Sequence, residues 1–181
     1  MQSSEVVILA RDVDALLVPH GTEVRLPEGA FVTLTQSLGG AYTVVVNGNM
    51  LRIDGADADA LGRQREVMTY ETPADGSVNM TDLDRTLATI FDPEIPVSIL
   101  DLGLIYKKEV HTDADDGFNT VYIEMTLTAP GCGMGPVLVE EVKRRVKRVP
   151  NVGSVDVELV FDPPWDRHMM TEEAQLQLGV Y

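Results

Sequence analysis

The chain contains one cysteine, Cys132, in the glycine-rich segment Ala129-Pro-Gly-Cys-Gly-Met-Gly. The neighbouring glycines let the backbone turn tightly and leave little side-chain material that could bury the sulfur. Pro136 suits the first turn of a following helix, whose free N–H groups and dipole favour thiolate over thiol. Because the thiolate is both a metal ligand and a nucleophile, the segment predicts an exposed, reactive cysteine rather than an inert buried one.

A single cysteine also limits the chemistry. It cannot form an internal disulfide, and it cannot by itself hold a zinc ion or an iron–sulfur cluster. Further ligands must come from other side chains, from a second copy of the chain in a homodimer, or from a partner. His168 is a candidate second ligand because imidazole suits iron, although a surface histidine is the more common interpretation. No histidine lies near Cys132 in sequence to act as a general base.

Two carboxylates and one hydroxyl accompany the cysteine as candidate site residues. Asp92 and Glu94 flank Pro93, which fixes a local turn, so their carboxylates can project at a defined place. In that interpretation Asp92 orients the cysteine loop or accepts the thiol proton; in the alternative, both acids are solvated where a helix ends. Thr128 is expected at the end of a strand, with a hydrogen bond to the loop backbone. Trp165, which follows two prolines, is expected to have a packing role.

The first 65 residues carry turn signals and short alternating apolar runs that predict an antiparallel β module. Strands are expected at 24–26, 31–36, 42–46 and 50–53, with a hairpin turn at Asn47-Gly48 and one helical turn at 57–61. Residues 66–79 are polar, contain Pro73 and Gly76, and are typical of a linker.

From residue 80 the apolar period changes to that of a helix. Thr81 or Asp82 is expected to cap this helix, which continues through Phe91 and ends at Asp92-Pro93. Strands at 104–110 and 121–127, a helix at 136–149 and a strand at 155–161 complete the pattern. The sequence therefore predicts an α+β fold: a small β-rich N-terminal module (1–65), a linker (66–79), and an α/β sandwich domain (80–181) with helices packed on a small mixed sheet.

Composition excludes several classes of protein. The 181 residues are 44% hydrophobic and 24% charged, which is typical of a folded soluble domain. A net charge of −15 argues against nucleic acid and anionic membranes as partners. No apolar run approaches a membrane span, and the N-terminus carries no basic leader region, so a cytoplasmic location is expected. The one dense basic run, 143–148, is expected to be a solvated helix face.

Three phrases then stand out together: Asp92-Pro-Glu-Ile-Pro-Val with Asp101-Leu-Gly-Leu-Ile-Tyr, the cysteine segment from Thr126, and Val160-Phe-Asp-Pro-Pro-Trp. They resemble the metal–sulfur cluster biosynthesis domain that is shared by SufT, the phenylacetate-oxygenase assembly component PaaD and eukaryotic cytosolic cluster-targeting factors. The glycines after the cysteine, with residues 36–44 and 169–179, indicate the SufT branch. The resemblance is expected to extend over residues 5–181.

This resemblance implies an iron–sulfur cluster assembly factor, not an enzyme, that helps carry iron or a cluster to client apoproteins. Cys132 matches the implied ligand, Asp92 and Glu94 match the acidic signature, and Thr128 matches the threonine before the cysteine. The bound iron or cluster would be transient, and the partners would be assembly proteins and clients. A non-catalytic adaptor and a thiol-dependent transfer enzyme that uses Cys132 as nucleophile remain as alternatives.

Overall fold

The protein is represented by a computed structural model that describes residues 4–92 and 94–180. It separates into two compact units. The first comprises Met1–Met68 with Gly133–Glu140, and the second comprises Thr69–Cys132 with Glu141–Tyr181. None of the helices in the described ranges is both long and apolar enough to cross a membrane.

A six-stranded antiparallel sheet forms the first unit, in the order β1-β4-β5-β6-β2-β3. Its strands are β1 (Glu5–Ile8), β2 (Val13–Leu17), β3 (Glu23–Leu26), β4 (Phe31–Leu38), β5 (Ala41–Val46) and β6 (Asn49–Asp54). The four strands predicted from the sequence correspond to β3 through β6. The sequence patterns missed β1 and β2, which are short and owe their conformation to pairing with β4, β3 and β6 rather than to local signals.

The predicted hairpin turn at Asn47-Gly48 is confirmed. Val46 pairs with Asn49, so the loop between β5 and β6 has two residues. Asn47 has φ +50° and Gly48 has φ +80°. Two positive φ values in a two-residue loop are the requirement of a type I′ turn, which asparagine and glycine meet at low cost.

One face of this sheet packs into a hydrophobic core with a 3-10 helix, Gly55–Leu61, which confirms the predicted helical turn. The Asp54 side chain caps that helix by accepting a hydrogen bond from the Ala56 N–H. The core contains the following fully buried side chains: Leu9, Val13, Ala15, Val32, Val44, Leu51, Ile53, Ala58 and Ala60.

The second unit contains a three-stranded mixed sheet, with β7 (Ile105–Thr112), β8 (Asn119–Met125) and β9 (Ser154–Leu159) in that order. β7 pairs with β8 antiparallel, and β8 pairs with β9 parallel. In sequence the helix α2 (Gly135–Val146) connects the two parallel strands. Alternate residues of β8 are buried, so one face of the sheet is covered. The structure confirms the predicted α+β class and the predicted order of elements, which is helix, strand, strand, helix, strand.

The first helix, α1 (Met80–Leu87), begins and ends elsewhere than the sequence predicts. Its cap is Asn79, whose side chain accepts hydrogen bonds from the N–H groups of Thr81 and Asp82. The helix ends at Leu87 rather than near Phe91, because Phe91 instead forms a β-bridge with Ser98. The apolar spacing that suggested a longer helix continues into a buried turn.

The chain finishes with two elements that the sequence patterns missed, a 3-10 helix at Arg167–Met169 and the helix α3 (Glu172–Leu178). Thr171 caps α3, and Gly179 ends it with φ +67°. Ala174 is the one buried residue of α3. With so little apolar surface to bury, the segment shows almost no helical period.

Candidate functional site

The cysteine loop joins the end of β8 at Met125 to the start of α2 at Gly135. The Cys132 N–H donates to the Ala129 carbonyl at 3.2 Å, and Gly131 has φ +78°. A Cβ atom added at Gly131 or Gly133 would meet no described atom within 4 Å. Cys132 is partly exposed, three residues before α2, in a loop whose flanking positions leave open space around it.

Glu94 lies at the thiol. Its Oε1 atom is 4.0 Å from Cys132 Sγ, and the Glu94 side chain is otherwise exposed. Although 38 residues separate them in sequence, the fold brings together these two of the four candidate site residues. The thiol is a weak donor, and the carboxylate is an acceptor at the outer limit of a sulfur hydrogen bond.

Asp92 organises the turn that presents Glu94. Its Oδ1 atom accepts hydrogen bonds from the N–H groups of Glu94 at 2.8 Å and Ile95 at 3.0 Å. The Asp92 N–H donates to the Val97 carbonyl at 3.1 Å. Asp92 is only 4% exposed, so the alternative of a solvated acid is wrong for it. Glu94, rather than Asp92, provides the carboxylate that reaches the thiol.

Thr128 does not belong to a strand, because β8 ends three residues earlier. The predicted hydrogen bond from Thr128 to the loop backbone is not formed with any residue of the ranges 4–92 and 94–180. Its side chain instead lines a cavity together with Trp165, His168 and Gln175. Thr128 therefore stands at the border between the cysteine loop and the C-terminal segment.

Trp165 and His168 occupy different environments. The Trp165 indole N–H donates to the Leu102 carbonyl at 2.7 Å, and the packing role expected for Trp165 stays a prediction. The His168 ring is 92% exposed, and its Nε2 is 3.9 Å from Asp166 Oδ1. Across the residues that the structure describes, no three His, Cys, Asp or Glu side chains are grouped to hold a metal ion. A second-ligand role for His168 stays a prediction.

The basic run in α2 is not a uniformly solvated face. Arg145 is 5% exposed and donates to the Thr89 carbonyl at 2.7 Å and to Thr89 Oγ1 at 3.2 Å. Its guanidinium therefore satisfies backbone and hydroxyl oxygens just after α1. The sequence could not show this, because a run of charged residues does not indicate which arginine faces the interior.

Gly103 is a structural residue whose role has no local signal in the sequence. It has φ +75°, and a Cβ atom there would lie 2.3 Å from the Met169 carbonyl oxygen. Nearby, the Thr171 N–H donates to the Asp101 carbonyl at 2.9 Å. The Asp101-Leu-Gly phrase thus holds the C-terminal segment by direct backbone contact, which a side chain at position 103 would block.

Comparison with known proteins identifies the family. A family model described as iron–sulfur cluster assembly protein matches residues 81–158. A relative from Porphyromonas gingivalis, named Fe-S protein maturation auxiliary factor, is 48% identical over 98 residues, which cover 54% of this chain and 89% of the relative. The chain belongs to the iron–sulfur cluster assembly protein family.

A second curated relative agrees with this assignment. The Fe-S protein maturation auxiliary factor SufT of Staphylococcus aureus is 41% identical over 91 residues, covering 50% of this chain and 98% of that protein. Among solved structures, a conserved hypothetical protein from Thermotoga maritima is 30% identical, covers 58% of this chain and 98% of its own, and superposes with a TM-score of 0.49.

The resemblance expected from the sequence motifs is confirmed for the cluster-assembly family and for the relation to SufT. The curated relatives are named as auxiliary factors rather than as catalysts, which agrees with the predicted non-enzymatic role. These matches extend over about half of the chain. The expected resemblance of the remaining residues stays a prediction.

Proposed function

We propose that this member of the cluster-assembly family carries iron or an iron–sulfur cluster on Cys132 and delivers it to client apoproteins. The observation that carries the proposal is the contact between the partly exposed thiol of the cysteine loop and the Glu94 carboxylate of the turn after α1, which are 4.0 Å apart. Membership of the family supports the same conclusion.

The separation of the two side chains suits a shared metal ion. Sulfur and oxygen ligands that bind a tetrahedral ion at the usual bond lengths lie roughly 3.6 Å apart. The 4.0 Å between Cys132 Sγ and Glu94 Oε1 needs only a small side-chain movement to reach that value. A cation between the two groups would also offset the repulsion between thiolate and carboxylate. We assign Cys132 as the main ligand and Glu94 as the second.

Two ligands leave the coordination incomplete, and this agrees with a carrier that must release its cargo. The residues in the described ranges offer no third ligand in a group with these two. The remaining positions would be filled by a second copy of the chain, by a small thiol, or by the client itself. If two copies meet through their Cys132 loops, the molecular mass in solution should double when iron is bound. It should fall back to the monomer mass when the iron is removed.

Anaerobic reconstitution with iron and sulfide, followed by absorbance and iron counting, tests the proposal. Wild type is expected to bind iron, Cys132→Ser to lose nearly all of it, and Glu94→Gln to bind at least about tenfold more weakly. Glu71→Gln is the matched control, because it removes the same charge from an exposed residue far from Cys132 in sequence. Equal iron content in wild type and Cys132→Ser would contradict the assignment.

A second candidate role, an adaptor that links assembly proteins to clients, has one supporting observation. Three apolar side chains are exposed on β1 and β4, with Val6 at 67%, Ile8 at 57% and Phe31 at 69%. Ile8 and Phe31 are direct cross-strand partners, so they share one face of the sheet. The adaptor role predicts normal client maturation in Cys132→Ser and impaired maturation in Phe31→Ser; the carrier role predicts the reverse.

A further inference from the structure

A cavity of about 650 Å³ lies beside the cysteine loop in the second unit. Thr128 lines it from the loop, and Trp165, Asp166, Arg167, His168 and Gln175 line it from the C-terminal segment. Its volume falls within the range of small-molecule sites, which is roughly 300–1,000 Å³. The proposed metal ligands Cys132 and Glu94 are not among the residues that line it.

Arg167 is the cation of this cavity. Its backbone carbonyl accepts the Met170 N–H at 3.2 Å, but its exposed side chain has no ion pair or hydrogen bond with any residue of the described ranges. The neighbouring Asp166 uses its Oδ1 atom to accept the His168 N–H at 2.8 Å. On a chain with a net charge of −15, the Arg167 guanidinium gives this cavity N–H donors and a positive charge that an anionic group can use.

The other lining groups narrow the chemistry of that anion. A guanidinium binds a carboxylate through two parallel hydrogen bonds, and the unpartnered Thr128 hydroxyl offers a further donor. Gln175 donates its Nε2 hydrogen to the Met170 carbonyl at 3.1 Å, which leaves its side-chain oxygen as an acceptor for an amide or ammonium. Trp165 is held by its bond to Leu102 and presents an apolar wall. Carboxylate, amide and apolar contacts together match a small peptide.

The cavity lies within reach of the thiol. Thr128 precedes Cys132 by four residues, which span at most about 14 Å, and the turn closed by the Cys132 N–H shortens this distance. An extended tripeptide spans roughly 10 Å. A peptide whose carboxylate is bound at Arg167 could therefore place its own thiol near Cys132.

We propose that this cavity binds a carboxylate-bearing, peptide-like thiol of low molecular mass, whose sulfur supplies a further ligand to the iron at Cys132. The second part of the statement rests on the proposed carrier function. The binding itself does not, because it depends on Arg167, Thr128 and the cavity alone.

Binding of a peptide to the cavity can be followed by intrinsic fluorescence, because Trp165 is the single tryptophan of the chain. Iron-free protein is titrated with reduced glutathione as the probe, and Trp165 fluorescence is followed. A saturable change is expected, weakened at least tenfold in Arg167→Gln and less in Arg167→Lys, which keeps the charge but loses the paired donors. Arg25→Gln, an exposed arginine of the first unit, is the matched control and should titrate like wild type.

Chemical variants of the probe separate a specific site from general attraction of anions. S-methylglutathione is expected to bind like glutathione, because the carboxylates are the anchor, and the diester is expected to fail. Inorganic phosphate at the same concentration should leave the fluorescence unchanged. Equal binding by Arg167→Gln, by the diester or by phosphate would overturn the site.

Two further measurements keep this proposal distinct from the carrier function. Cys132→Ser should bind glutathione with unchanged affinity, so the cavity is tested where the proposed metal ligand is missing. With iron-loaded wild type, glutathione should slow iron loss to a chelator and S-methylglutathione should not. If iron binding depends on Cys132 but glutathione does not bind, the proposed peptide site is wrong and the carrier function stands. If glutathione and S-methylglutathione slow iron loss equally, the thiol of the peptide is not a ligand to the iron.

Discussion

At the residue scale, the contact between Cys132 and Glu94 makes a prediction about reactivity. The thiol is partly exposed, so it should react fully with a thiol reagent in the folded protein without denaturant. Ferrous iron should slow this labelling under anaerobic conditions, because the metal would occupy the sulfur. Protection should be weaker in Glu94→Gln than in the Glu71→Gln control. Labelling that requires denaturant, or that iron leaves unchanged, would exclude the sulfur as a ligand.

A second residue-scale prediction concerns pH and the first unit. Arg11 donates to Asp59 at 2.7 and 2.8 Å, and chiefly this hydrogen bonding lowers the pKa of the Asp59 carboxyl to about 2, below its ordinary 3.8. A lowered folded-state pKa gives stability that is complete above the unfolded value and is lost as pH falls through the folded value. The difference in stability between wild type and Asp59→Asn should therefore be constant from pH 5 to 7 and shrink between pH 4 and 2. Urea unfolding midpoints across this range measure it, and a difference that does not change with pH would contradict the account.

At the scale of elements, the turn after α1 depends on Asp92. Removing its buried carboxylate leaves the N–H groups of Glu94 and Ile95 without their acceptor, so Asp92→Ala should lower the free energy of unfolding by about 2 kcal/mol. Asp92→Asn keeps an acceptor oxygen and should cost less. Iron binding should fall in Asp92→Ala as the Glu94 turn loosens. Urea unfolding and iron counting measure both effects, and an Asp92→Ala protein as stable as wild type would show that the turn does not need this carboxylate.

The attachment of the C-terminal segment gives another element-scale prediction. Gly103 and Gly131 both have positive φ, but only Gly103 lies against backbone, since a Cβ atom at that position would be 2.3 Å from the Met169 oxygen. Gly131→Ala should cost about 1 kcal/mol from backbone strain alone. Gly103→Ala should cost about 3 kcal/mol or more, because the segment must also move. Similar losses for the two variants in urea unfolding would mean that the close approach at Gly103 is unimportant.

Local signals in the sequence were sufficient for some elements and not for others. Asn47-Gly48 predicted its hairpin because the turn requires two positive φ values that these residues supply locally. The end of α1 was missed because the apolar period of Ile90 and Phe91 serves a buried turn, and only the bridge from Phe91 to Ser98 reveals this. The helix α3 was missed because it buries Ala174 alone.

In the candidate site, too, some features have a local sequence signal and others do not. Glycines around Cys132 predicted an exposed thiol from composition alone, and in the structure Cys132 is partly exposed. The contact with Glu94 depends on a turn 38 residues away, and the cavity depends on a tail that begins after β9. Neither has a local sequence signal, because both are products of long-range packing. Only the folded structure shows that the Arg167 side chain has no ion pair or hydrogen bond with any residue of the described ranges.

At the scale of the whole molecule, the residues that match the family and the six-stranded β sheet support two different candidate functions. The Staphylococcus aureus relative is covered over 98% of its length by 91 aligned residues, so that protein has no counterpart to most of the remaining half of this chain. Cys132 and Glu94, on which the proposed carrier function rests, lie within residues 81–158 that the family model matches, whereas most residues that line the cavity follow residue 158. The six-stranded sheet of the first unit lies outside residues 81–158, and its exposed apolar side chains are the basis for the adaptor candidate.

Transfer of cargo to a client protein is the test of delivery through Cys132. Wild type and Cys132→Ser are each treated anaerobically with iron and sulfide, freed of excess reagents, and mixed with an apo iron–sulfur enzyme whose activity requires its cluster. The account predicts that wild type restores client activity in proportion to the iron it carried, even with a chelator present that captures free iron, and that Cys132→Ser restores none. Equal restoration by both proteins, or restoration by wild type that the chelator abolishes, would contradict delivery through Cys132.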